Sequence, residues 1–151
     1  MYRKAKEGYE RAYGNSQHVD VLRACNNVGN VLRKQGKFVE AEPLLLQAFE
    51  GYKSSVGEHN LKTLRALENL GTLYENMGRF EDAEKMLKVA VEGYESQSSS
   101  DVSAEHPELI KALKTLVELY TKQGKGQEKK SVLKRAESFG VDQSRLLSTK
   151  R

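Results

Sequence analysis

Apolar residues recur at helical spacing along most of the chain. Leu64, Leu67, Leu70, Leu73 and Tyr74 lie three or four residues apart. A helix turns once in about 3.6 residues, so they share one face. Gly78 interrupts the stripe, and Phe80, Ala83, Leu87, Ala90, Val91 and Tyr94 begin a second. The same arrangement occurs earlier: Leu22, Cys25, Val28, Val31 and Leu32, then Gly36, then Phe38, Ala41, Leu45, Ala48 and Tyr52. Gly36 and Gly78 stand where a helix C-terminus calls for a left-handed residue. The pattern predicts paired helices joined by short glycine turns.

The pairs are copies of one unit. Residues 21–42 (VLRACNNVGNVLRKQGKFVEAE) align with residues 63–84 (TLRALENLGTLYENMGRFEDAE) at an offset of 42. Residues 109–130 (LIKALKTLVELYTKQGKGQEKK) follow after a further 46, and the extra length falls in the Ser-rich stretch 96–103, read as an inter-repeat loop. Upstream, Ala5, Glu7, Gly8, Tyr9 and Gly14 match Ala48, Glu50, Gly51, Tyr52 and Gly57. Residues 1–17 therefore read as a leading second helix, either cut from a longer array or serving as a cap. Repeats follow at 18–58, 59–103 and 104–138, with a polar basic tail at 139–151. The third repeat departs from the pattern. Val117 replaces the small Gly71, Gly126 replaces the turn aromatic and Lys129 replaces Ala83. These changes loosen the last pair or make its outer face polar, as a terminal unit requires.

Composition agrees with a thin solenoid. The chain has 151 residues, 38% hydrophobic and 30% charged, so stability comes from neighbour-to-neighbour packing. The net charge of +4 is uneven: residues 1–120 carry 16 basic and 18 acidic side chains, residues 121–151 carry 9 and 3. The basic excess thus belongs to a solvated tail, and nucleic-acid binding is not expected. Cys25 is the one cysteine; it excludes an intrachain disulfide and, lying on an apolar stripe, reads as core. With no secretory leader and no apolar run of about 18 residues, a soluble cytoplasmic setting is expected. No phosphate loop and no G-x-S-x-G or H-E-x-x-H nucleophile or metal motif occurs, so neither an enzyme nor a cofactor is expected. His18, His59 and His106 each precede a first helix in repeat register. They lie a repeat apart and cannot converge on a metal. His106-Pro107 reads as a helix start.

Leu67-x2-Leu70-Gly71-x2-Tyr74 followed by Ala83-x3-Leu87 resembles the tetratricopeptide signature. The 42-residue period exceeds the usual 34 by about two helical turns. HEAT repeats share that length, but the small residues Gly29, Gly71, Ala41 and Ala83 favour the tetratricopeptide pattern. The stretches NNVGNVL, QGKFVEAEPLL and GEHN look like the kinesin light chain type, also seen in nephrocystin-like and fungal repeat proteins. The resemblance implies an all-α, right-handed solenoid of antiparallel helix pairs. It also implies an adaptor or scaffold that binds protein, with the first helix of each pair lining a concave groove.

The stripe opposite the packing face supplies the candidate groove. It comprises Arg23, Asn26, Asn27 and Asn30 in the first unit, Arg65, Asn69, Thr72 and Asn76 in the second, and Lys111 and Lys114 in the third. Arg33, Lys34, Glu68, Glu75, Thr115, Glu118 and Lys122 share that stripe. Two columns emerge: Arg23, Arg65 and Lys111, and Asn27, Asn69 and Thr115. An Asn side chain both donates and accepts, so Asn27 and Asn69 suit a peptide main chain. The cations suit acidic side chains, and the expected ligand is an extended acidic segment. Some tetratricopeptide domains grip chaperone C-termini through a carboxylate clamp. By repeat position Asn30, Asn69 and Lys111 match that clamp, whereas Asn26 and Thr115 stand where cations are required. The rival readings are a solvated helix face, and a self-associating or structural piece of a larger array.

Overall fold

The computed structural model describes residues 18–97 and 107–147. The expected leading helix at 1–17, His106 and most of the Ser-rich stretch lie outside the described residues. Within them run seven helices: α1 Val19–Lys34, α2 Phe38–Val56, α3 Leu61–Asn76, α4 Phe80–Gln97, α5 Pro107–Gln123, α6 Gly126–Ser138 and α7 Gln143–Leu147. Helices α1–α2, α3–α4 and α5–α6 are the three predicted hairpins, stacked in order. The first helices also touch one another, α1 against α3 and α3 against α5. The result is an all-α solenoid.

Local chemistry fixes the helix ends. His18 Nδ1 accepts the Asp20 N–H at 3.2 Å, and Asn60 Oδ1 accepts the Lys62 N–H at 2.9 Å. Each satisfies a first-turn donor that α1 or α3 cannot satisfy internally. At the hairpin turns Gly36, Gly78 and Gly124 adopt φ of 78°, 78° and 68°. The following residue then donates back across the turn: Lys37 to Leu32 O at 2.9 Å, Arg79 to Tyr74 O at 2.8 Å, and Lys125 to Tyr120 O at 2.9 Å. Left-handed backbone makes this closure cheap only for glycine.

The predicted stripes form one continuous core, with Phe38 and Phe80 packed at its half-buried margin; Val31 is half-buried. Cys25 is fully buried in it. Helix contacts are close because leucines press on glycine backbone. A Cβ on Gly71 would lie 2.8 Å from Leu87 Cγ, and one on Gly29 equally near Leu45 Cγ. Gly51 receives Leu22, and Gly93 receives Leu64, in the reciprocal direction.

The second helix of the third unit is less buried than its counterparts. Helix α6 buries only Leu133 and Ala136, and Val117 is buried where the other units have glycine. Residues 139–151 read in the sequence as a polar basic tail, disordered or weakly helical from Gln143 onward; the structure has a packed helix over Gln143–Leu147. Val141 and Leu146 are buried, and α7 packs on α5 and α6. Asp142 accepts the Ser144 N–H at 2.9 Å, repeating the cap geometry of α1 and α3. The apolar residues Val141 and Leu146, separated by polar positions, gave too short a pattern to signal packing against the repeats.

The basic C-terminal region is also less free than its charge implied. Glu75 on α3 and Glu95 on α4 are almost fully buried. Lys122 Nζ meets Glu75 Oε1 at 2.8 Å, and Arg135 Nη2 meets Glu95 Oε2 at 2.6 Å. Cations of the third unit thus neutralise carboxylates sunk into the second. A buried carboxylate without such a partner is strongly unfavourable.

Candidate functional site

The first helices meet along a groove of about 330 Å³ lined by Asn26 and Asn30 of α1, Arg65, Glu68 and Asn69 of α3, and Pro107, Glu108 and Lys111 of α5. All five of the predicted residues among these lie on the polar stripe opposite the core. The stripe converges because the 42-residue repeat sets equivalent turns of α1 and α3 side by side.

Two amides meet at the floor. Asn69 Nδ2 donates to Asn26 Oδ1 at 3.0 Å. That leaves the Asn69 oxygen to accept and the Asn26 nitrogen to donate. Arg33 Nε donates to Asn30 Oδ1 at 2.9 Å, and Arg33 Nη1 donates to Asn76 Oδ1 at 2.9 Å. That leaves the Asn30 nitrogen as a donor. Donors and an acceptor stand together, as main-chain recognition requires.

Charges in the groove are matched within the chain. Arg65 Nη2 donates to Glu108 Oε1, and Lys111 Nζ lies 3.8 Å from Glu68 Oε1. Glu68 is 3% exposed. Tyr94 of α4 donates its O–H to Glu68 Oε2 at 3.1 Å. Burial raises the Glu68 carboxyl above the usual carboxylate range, while Lys111 and the Tyr94 hydroxyl oppose the rise. Burial beside Glu68 likewise raises the Tyr94 phenol. The other oxygen, Glu68 Oε1, is buried and accepts no hydrogen bond.

The remaining predicted residues sit elsewhere. Arg23 is exposed and bound to Asp20 at 2.6 Å on its own helix. Asn27 is exposed and is not part of the groove lining, so the amide partner of Asn69 is Asn26 and not the repeat-equivalent Asn27. Thr72 turns its hydroxyl back to Glu68 O at 3.0 Å. Asn76 is occupied by Arg33, and Lys114 is half-buried on α5 outside the lining. The sequence reading placed Glu68 on the groove stripe without choosing it as a peptide contact, and passed over Pro107 and Glu108. Glu68 stood in the stripe beside Asn69 but had no sign of its burial, which depends on Tyr94 from another helix. Glu108 reads in sequence as an ordinary first-turn acid. Among the described residues no cluster of three or more His, Cys, Asp or Glu is placed to hold a metal ion. No described helix is long and apolar enough to cross a membrane.

A family model described as tetratricopeptide repeat matches residues 20–96. No curated protein matches the sequence. Among solved structures, BtubC (BKLC) from P. vanneervenii is similar at 24% identity and a TM-score of 0.73, covering 91% of this chain and 56% of its own. A kinesin light chain protein of Podosopora anserina with nearly identical TPR-like repeats is similar at 19% identity and a TM-score of 0.72, covering 89% of this chain and 65% of its own. The chain thus spans between about half and two-thirds of the length of these structures.

Proposed function

This chain belongs to the tetratricopeptide repeat family, and we propose that it holds an extended polypeptide segment in the groove across α1, α3 and α5. Repeats of this family generally serve as protein–protein interaction modules. The observation that carries the finer reading is the Asn26–Asn69 amide pair, with Asn30 also in the lining of the groove. A main chain repeats one donor and one acceptor per residue, and this floor offers the complement. No catalytic role is assigned: the fold is typically a non-catalytic scaffold.

Acidic side chains of the segment would be read at the groove's ends. Arg65 and Lys111 in the middle already have carboxylate partners, as Arg23 does outside it. Lys114 on α5 and Arg33 on α1 stand at the flanks. Burial lowers the Arg33 pKa from its usual value, and nearby Glu75 opposes that, yet a guanidinium stays charged near neutrality. Exposed pairs such as Arg65–Glu108 contribute little and exchange readily. The protein would therefore act as an adaptor or scaffold for a partner with acidic flanks.

The test is a peptide array probed with the wild-type chain and with an Arg65→Ala/Asn69→Ala variant. Binding that weakens in the variant, at unchanged helicity, supports the groove. Hits that bind both equally overturn it.

A further inference from the structure

The third hairpin differs from the other two where its helices would come closest. Gly29 and Gly71 each receive a leucine of the following helix at a distance that no Cβ permits, and Ala41 and Ala83 of those second helices are fully buried. In the third unit Val117 and Lys129 hold the two repeat positions. Helices α5 and α6 lie less closely together than the earlier pairs. Val117 and Lys129 both line a cleft of about 240 Å³ between α5, α6 and α7, with Glu118, Thr121, Lys122, Leu146 and Leu147.

The lining restricts what the cleft can hold. Val117 and Leu146 are buried, but Leu147 is 43% exposed, so the apolar wall reaches the surface and is open to an entering group. Thr121 donates its hydroxyl to Val117 O at 2.8 Å, within its own helix. Lys122 has its ammonium on Glu75 at 2.8 Å. The stem of Lys129 is hydrocarbon and extends the apolar wall. The charges of Glu118 and Lys129 are opposite, as are those of Lys122 and Glu75, so the surroundings sum to zero and offer no net attraction to an ion. An uncharged, apolar group fits. The volume falls below the roughly 300–1,000 Å³ of pockets for drug-sized ligands and suits one large side chain.

The cleft also continues the groove. Lys111 lines the groove, Glu118 and Lys122 line the cleft, and their helical spacing sets all three on one face of α5. At 1.5 Å per residue the two places are about 10–16 Å apart, which an extended chain spans in about three to five residues. We propose that the cleft is a side-chain subsite of the groove: it receives one uncharged, apolar side chain of the bound segment, about three to five residues from the part that passes Lys111. This rests on the peptide-groove reading above and deepens it by adding an apolar subsite to the polar floor. Only the third unit has such a subsite among the described residues, because only there do Val117 and Lys129 replace glycine and alanine.

The test uses peptides selected from a random display library on the wild-type chain. Their affinities are measured by fluorescence anisotropy against wild type, Asn69→Ala, Leu147→Ser and Thr121→Trp. Leu147→Ser removes an exposed part of the wall, and Thr121→Trp fills the cleft from α5 without altering α7; circular dichroism melts confirm that each variant is folded. The expected result is that truncating one apolar residue of the peptide to alanine weakens wild type about tenfold. The same truncation should cost Leu147→Ser and Thr121→Trp much less, because both have already lost the cleft. Equal losses on all three chains, or undiminished binding by both cleft variants while Asn69→Ala is weakened, overturn the subsite and leave the groove standing. Binding that responds to the cleft variants and not to Asn69→Ala overturns the groove reading and the spacing with it. Indifference to every substitution, or no selected peptide, overturns both. A wild-type mass in sedimentation that grows with concentration and falls back in Leu147→Ser would mean that a second copy fills the cleft, and overturns the proposal.

Discussion

At the residue scale the informative position is Glu68, a carboxylate held between a core tyrosine and a groove lysine. Tyr94→Phe removes the O–H on Oε2 and leaves a second buried oxygen unsatisfied. The expected cost is about 1–3 kcal/mol of stability, measured by urea unfolding; a loss near zero would mean that the bond contributes nothing. Glu68 also predicts a pH signature. Its pKa is raised in the fold by burial, with Glu108 adding to the rise and Lys111, Tyr94 and Arg65 opposing it. The folded chain therefore binds the Glu68 proton more tightly than the unfolded chain. That stability is fully present below the ordinary glutamate pKa and is lost as pH rises through the raised folded value. Gln does not titrate. The melting temperature of Glu68→Gln relative to wild type should thus rise with pH across the carboxylate range and level off above it. A difference that is flat, or falls with pH, would mean that burial is not the dominant influence on Glu68.

At the element scale, close packing of helix on helix depends on glycines facing leucines. Gly71→Leu places side-chain carbons where Leu87 Cγ already is. Overpacking of this kind costs about 1–3 kcal/mol, occasionally more, and should lower the melting temperature by several degrees. An undiminished melting temperature would show that α3 and α4 can part without loss. Much of this was legible in the sequence, because Gly29 and Gly71 recur in register between apolar stripes. The matching role of Gly51 and Gly93 was not. Both lie among the polar residues at the far end of the second helix, and only their contact with Leu22 and Leu64 reveals what they do.

At the scale of the whole molecule, the third unit completes the second. Buried Glu68, Glu75 and Glu95 are each met by a cation from the next unit: Lys111, Lys122 and Arg135. Removing a partner from a buried carboxylate costs more than an exposed pair is worth. Arg135→Ala should therefore destabilise more than Arg23→Ala, whose pair with Asp20 lies at the surface within one helix; equal effects in thermal melts would refute this. Helix α7 belongs to the same scale. Leu146→Ala removes a fully buried side chain at the end of the stack. The expected cost is about 2 kcal/mol, near the lower end for leucine in a core because a terminal helix can collapse onto the gap. No change in unfolding midpoint would return residues 141–147 to a solvated tail.

The sequence by itself determined the helices of the three hairpins, their pairing and their repeat. Those depend on local periodicity, caps and turn glycines, and each is written within a few residues of where it acts. It also placed Asn26, Asn30, Arg65, Asn69 and Lys111 on one polar face. Only the tertiary structure decided which of them meet, because neighbouring first helices approach across some 40 residues of chain. That approach pairs Asn69 with Asn26 in place of Asn27, and sets Glu108 on Arg65. It also buries Glu68 beneath Tyr94. Side-chain pairing across units depends on helix rotation and offset of less than one turn, and a column of equivalent positions does not carry that information.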